Sequence, residues 1–87
     1  MTAKREREAP ELGSACVRMM RALAKRASGG ELEALEELDK LQGQLQAQLG
    51  AAVAGYRAGP AQASWTTIGE VLGMTRQSAH ERFKDAQ

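Results

Sequence analysis

Of 87 residues only three are aromatic, Tyr56, Trp65 and Phe83, and only four are Val or Ile. β-Branched and aromatic side chains are what strands are built from, so their scarcity argues against a sheet. The one cysteine, Cys16, cannot build an internal disulfide, and a reducing cytoplasm is its natural setting. No stretch approaches the roughly 20 consecutive apolar residues of a membrane span, so none is expected. Residues 1–8 lack an apolar core after their charges and do not read as a secretory signal. The single histidine, His80, has neither a second histidine for a metal site nor a partner for a catalytic triad. With no nucleotide-binding glycine loop and no paired acid and base of convincing spacing, the expectation is a protein that is not an enzyme. It should have no metal, no cofactor and no small-molecule ligand.

What the chain does contain is Ala, Leu and Met, all strong helix formers. The expected fold class is therefore all-α. A chain this short forms one small domain, or one domain plus an arm, and its small core profits from a partner subunit. The net charge of +1 hides three blocks. Residues 1–30 hold seven Lys/Arg against three Asp/Glu, residues 31–50 hold one against five, and residues 51–87 hold four against three. Such segregation suits helices that pair through opposite charge, within one chain or between two. It also means that any nucleic-acid function must be argued from a local site, not from bulk charge.

Residues 1–9 read as a flexible charged arm. Its Lys4-Arg5-Glu6-Arg7 either reaches into a minor groove or stays solvated, as its glutamates favour. From Pro10, a residue suited to a first helical turn, Leu12, Cys16, Met19, Leu23 and Ala27 recur on one helical face. Cys16 on that stripe is expected to be a small buried residue. Ser28-Gly29-Gly30 stops the helix. A second helix is expected from Gly30 or Glu31 to about Arg57, with Glu31, Glu33, Glu36 and Glu37 at the positive end of its dipole. Leu32, Leu35, Leu38, Leu41, Leu45, Leu49, Val53 and Tyr56 cover 24 residues in seven steps, close to the 3.5 of a coiled-coil seam. The row either packs on the first helix of its own chain or also joins two chains. The dimer is the favoured reading, with Leu32, Leu35, Leu38, Leu41, Leu45 and Leu49 as its interface. Residues 10–58 are thus a helical hairpin. Gly59-Pro60 ends it, and 59–63 is a linker.

Residues 64–87 carry the most information. Ser64 is a good N-cap for a short helix, Gly73 closes it, and Thr75 caps a last helix running to about Lys84. Ile68 and Leu72 face inward, Gly69 is small where two helices would cross, and Met74 plugs the turn. Ala79 and Phe83 face the preceding helix, and Trp65 supplies bulk. This is the layout of a helix-turn-helix. The segment also resembles the C-terminal helix-turn-helix of small actinobacterial DNA-binding proteins. The match runs through Ser64, Trp65, Ile68, Gly69, Leu72, Gly73, Met74, Thr75, Arg76, Gln77, Ala79, Arg82 and Phe83. It covers about a quarter of the chain tightly and the preceding helix loosely. His80 stands where that family often has an aromatic residue, and Gly59-Pro60-Ala61-Gln62-Ala63 replaces a shorter lead-in.

The resemblance implies a sequence-specific regulator or a nucleoid-associated protein of the cytoplasm, binding double-stranded DNA. The expected contacts are Ser64, Thr66, Thr75, Arg76, Gln77, Ser78, His80, Glu81, Arg82 and Lys84. Arg76 and Gln77 are the candidate base readers, because arginine is bidentate to guanine and glutamine to adenine. Arg76 could instead contact phosphate. Arg82 is expected to bridge to Glu70 or Asp85, or to meet a phosphate. A different class of reading is a protein-interaction adaptor, whose hairpin binds another factor and whose last helices never touch DNA.

Overall fold

In the computed structural model, which describes residues 8–85, the chain is all-helical. Four helices follow one another, α1 (Ala9–Ser28), α2 (Leu32–Ala58), α3 (Trp65–Leu72) and α4 (Arg76–Phe83). Among the described residues there is no strand. No helix there is long and apolar enough to cross a membrane. The chain divides into two compact units, Met1–Gln42 and Gly43–Gln87. The expected boundary was the 59–63 linker. It falls inside α2 instead, because the second half of that helix supplies part of the second unit's core.

In the first unit, α1 begins one residue before Pro10. Glu8 is its N-cap, and the Glu8 N–H donates to Glu11 Oε1 at 3.2 Å. Glu8 and Ala9 therefore belong to the helix start, not to an arm; the rest of the proposed arm, residues 1–7, lies outside the described residues. Gly29 and Gly30 end α1, Gly30 at φ 107°. α2 follows at Leu32. Across that turn, Arg26 donates to both carboxylate oxygens of Glu31, at 2.9 Å and 2.7 Å.

The apolar stripe expected to be buried on α1 is largely exposed. Leu12 is 53% exposed, Met19 63%, and Cys16 is also exposed. The buried residues of this unit are the small Ala15 and Ala34, with Leu23, Ala27 and Leu38 half-buried. Of the stripe, Leu23 and Ala27 are partly covered, while Leu12, Cys16 and Met19 lie exposed and the buried residue of α1 is Ala15, off the stripe.

The second unit has a defined core of Val53, Ala63, Ile68, Ala79 and Phe83. Leu49, Trp65, Leu72 and Met74 pack against it. Ile68 and Ala79 are essentially inaccessible. The segment after α2 is folded back and joins that core. Gln62 N–H donates to Gly59 O, the Ala63 N–H donates to Tyr56 O at 3.0 Å, and Ala63 is buried. Gln62 adopts φ 46°, a left-handed conformation, to make this return.

Candidate nucleic-acid interface

Two capped helices and a tight turn build the surface around α4. Ser64 Oγ accepts from the Thr67 N–H at 3.1 Å and starts α3. Thr75 Oγ1 accepts from the Ser78 N–H at 3.0 Å and starts α4. Between them Gly73, at φ 70°, takes the left-handed position that closes α3. The Gly73 N–H donates to Glu70 O, and the Met74 N–H to Gly69 O at 2.8 Å, the paired bonds of a Schellman end. Gly69 lies against this turn. A Cβ there would sit 2.6 Å from the Met74 carbonyl oxygen and 3.1 Å from the Thr75 backbone. A small residue was expected here at a crossing of two helices; the close neighbour is instead the backbone of the turn.

With Ala79 and Phe83 turned into the core, α4 leaves Arg76, Gln77, Ser78, His80, Glu81, Arg82 and Lys84 exposed, together with Thr75 ahead of it. Thr75, Gln77, Ser78, Glu81 and Arg82 line one shallow open depression of about 470 Å³. Ser64 and Thr66 are exposed at the start of α3. The hydroxyls of Ser64 and Thr75 already serve as caps, so those two are structural before they are anything else.

The charges here are lightly engaged. Lys84 Nζ lies 3.4 Å from Glu81 Oε1, one helical turn away and exposed, a pair that contributes little in water. Arg82 makes no bridge to Glu70 or Asp85; its guanidinium stands 4.9 Å over the Phe83 ring instead. Adjacency in the chain brings that aromatic face closer than either carboxylate. Arg76 and Gln77 have no side-chain partner among the described residues.

One cation near this surface escaped the sequence reading. Arg57, in the last turn of α2, lies with its guanidinium 4.3 Å from the centroid of the Trp65 ring. Trp65 in turn meets His80 edge-on, with ring centroids 5.3 Å apart and planes at 89°. The available signal was that Arg57 is the only Lys or Arg between residues 41 and 75.

Elsewhere in this unit, an apolar groove of about 390 Å³ is lined by Ala52, Val53, Tyr56, Ile68, Val71 and Leu72. Among the described residues no cluster of His, Cys, Asp and Glu could hold a metal ion. Comparison with protein-family models, curated proteins and solved structures returned no match.

The proposed dimer row divides along α2. Leu32, Leu35, Leu41 and Leu45 are exposed, Leu32 at 66% and Leu45 at 62%, and Leu38 is half-buried. Leu49 and Val53 are committed to the core with α3 and α4. The exposed leucines of the row thus end at Leu45, and Leu49, expected in the row's interface, packs against its own chain's core instead.

Proposed function

We propose that α3, the Gly73 turn and α4 form a helix-turn-helix that binds double-stranded DNA, with α4 entering the major groove. The observation that carries this reading is the division of labour along α4. Ala79 and Phe83 anchor the helix, while Arg76 and Gln77, unpartnered at its N-terminal end, project where side chains of a recognition helix reach base edges. A helix that merely closed a bundle corner would have no need for two bidentate hydrogen-bonding side chains side by side at that end.

The chain acts as a homodimer, joined through the exposed apolar faces of α1 and α2. This suits a nucleoid-associated protein of the cytoplasm, or a small regulator. Two copies present two recognition helices, and two half-sites multiply specificity. No step of this function calls for a catalytic group, a metal or a cofactor.

Arginine on guanine beside glutamine on adenine favours a G-A step, seen as T-C on the other strand. Selection of bound sites from random DNA should return motifs containing that step, either singly or about one helical turn apart. Gln77→Ala should weaken binding to the selected site by about 1–3 kcal/mol and relax discrimination at the adenine. A selected motif without the step, or an unchanged base preference in the variant, would remove these reading roles. Failure of the wild type to retard any duplex would instead favour the adaptor reading, in which the exposed apolar face of the first unit binds another protein.

A further inference from the structure

Among the described residues, Arg57 is a cation without a counter-ion: no carboxylate pairs with it. Its Nε is buried and finds no hydrogen-bond acceptor. Its guanidinium is held against the Trp65 ring instead. A guanidinium held over a ring does not spend its in-plane N–H groups on that contact; with Nε buried, the two terminal Nη groups are the donors left to meet an oxyanion. The ring supplies orientation and removes part of the side-chain entropy that a free surface arginine loses on binding.

Position gives this donor its ligand. Trp65 touches His80, which lies one turn along α4 from Arg76 on an exposed flank of that helix. The two ring steps of 4.3 Å and 5.3 Å keep the Arg57 guanidinium within about 10 Å of the His80 ring. A major groove is about 12 Å wide and walled by phosphates. A cation held beside a helix seated in that groove meets the wall rather than the base edges.

We propose that Arg57, braced on Trp65, is a phosphate-binding residue that clamps the DNA backbone at one edge of the α4 footprint. This rests on the DNA-binding reading above and adds to it a residue outside the two short helices. The contact carries no sequence information. It fixes the register in which Arg76 and Gln77 meet the bases.

The test is a salt titration of duplex binding by fluorescence anisotropy, on the full chain, with the selected site and with a scrambled duplex. Arg57→Gln, which keeps much of the stem and removes the charge, should weaken binding to both duplexes about 5- to 10-fold. The slope of log K against log salt should become shallower by about 0.9 per subunit, the signature of one lost phosphate contact. The ranking of sequences should not change. Arg57→Lys should keep the wild-type slope while binding more weakly, because charge is retained and the stacked fork is lost. Thermal unfolding of both variants without DNA controls for folding; if Arg57→Gln does not fold, the slope of Arg57→Lys carries the test. A wild type that binds DNA, with an Arg57→Gln variant of unchanged slope, overturns the phosphate role alone. An Arg57→Lys slope as shallow as one lost contact also overturns it. A wild type that binds neither duplex overturns the DNA reading and this inference with it.

Discussion

Gly69 and Gly73 sit four residues apart and are required for different reasons. Gly73 needs the backbone freedom of a residue without Cβ, because its φ of 70° lies in the left-handed region. Gly69 is required by space, since the Met74 carbonyl oxygen occupies the position where a methyl carbon would meet it at 2.6 Å. That oxygen belongs to backbone already fixed by the Schellman bonds, so it cannot move aside without opening the turn. Gly69→Ala should therefore lower stability by about 1–3 kcal/mol, the range of an overpacked site. Loss of DNA affinity should accompany it, because Thr75 and the start of α4 follow immediately. A thermal midpoint equal to that of the wild type would mean that the turn yields easily. Both glycines were legible as small residues in a turn motif. Arg57 was not legible as a partner of Trp65, because their approach depends on the chain folding back through Gln62 at φ 46°, which no periodicity reports.

The starts of α3 and α4 followed from side chains that satisfy otherwise unpaired backbone groups, whereas α1 starts from its N-cap Glu8, ahead of the expected Pro10. Ser64 and Thr75 cap where expected, and Gly73 closes where expected. Burial was harder to read. A spacing of three and four on α1 identifies an apolar stripe, but it does not say what covers that stripe. Leu12 and Met19 prove exposed within the chain, while the small Ala15 is covered. The acidic start of α2 was read as a response to the helix dipole. The structure gives Glu31 a more specific role, as the acceptor of both hydrogen bonds from Arg26 across the α1–α2 turn. The hydrogen bonds from Arg26 hold the Glu31 carboxyl below the usual glutamate range. A carboxyl lowered in the folded state contributes stability that is present above its unfolded pKa and is lost as pH falls through the folded value. The loss therefore begins near the ordinary glutamate range and completes below it. Arg26 is exposed and Glu31 is more than a third exposed, so solvent screening keeps the effect on stability small. The direct measurement is an NMR titration of the Glu31 carboxyl carbon. It should titrate below the ordinary glutamate range in the wild type and return to that range in Arg26→Ala. A Glu31 that titrates in the ordinary range in the wild type would show that the turn forms without this bridge.

At the scale of the whole molecule, the chain leaves large apolar side chains of α1 and α2 in water. Leu12, Met19, Leu32, Leu35 and Leu45 are each more than half exposed, and the buried residues of the first unit are the small Ala15 and Ala34. Single exposed leucines need no explanation, but a row recurring at helical spacing along α2 does. A second copy suits it on charge. Residues 1–30 carry a net +4 and residues 31–50 a net −4, so a two-fold arrangement can set the basic stretch of one copy against the acidic stretch of the other. Because Leu35 and Leu45 are 57% and 62% exposed, a lysine at either position adds no buried charge to a single chain. It would add one to a dimer, where an unpaired buried charge is costly. The paired variant Leu35→Lys/Leu45→Lys should therefore keep its helical circular dichroism and sediment as a monomer. The wild type should sediment as a dimer at tens of micromolar. The monomeric variant should still bind a single motif weakly and should lose the gain in affinity that two motifs one helical turn apart give the wild type. A wild type that sediments as a monomer across salt concentrations would rule out the self-association. A variant that unfolds instead of dissociating would place these leucines in the chain's own core, contrary to their exposure.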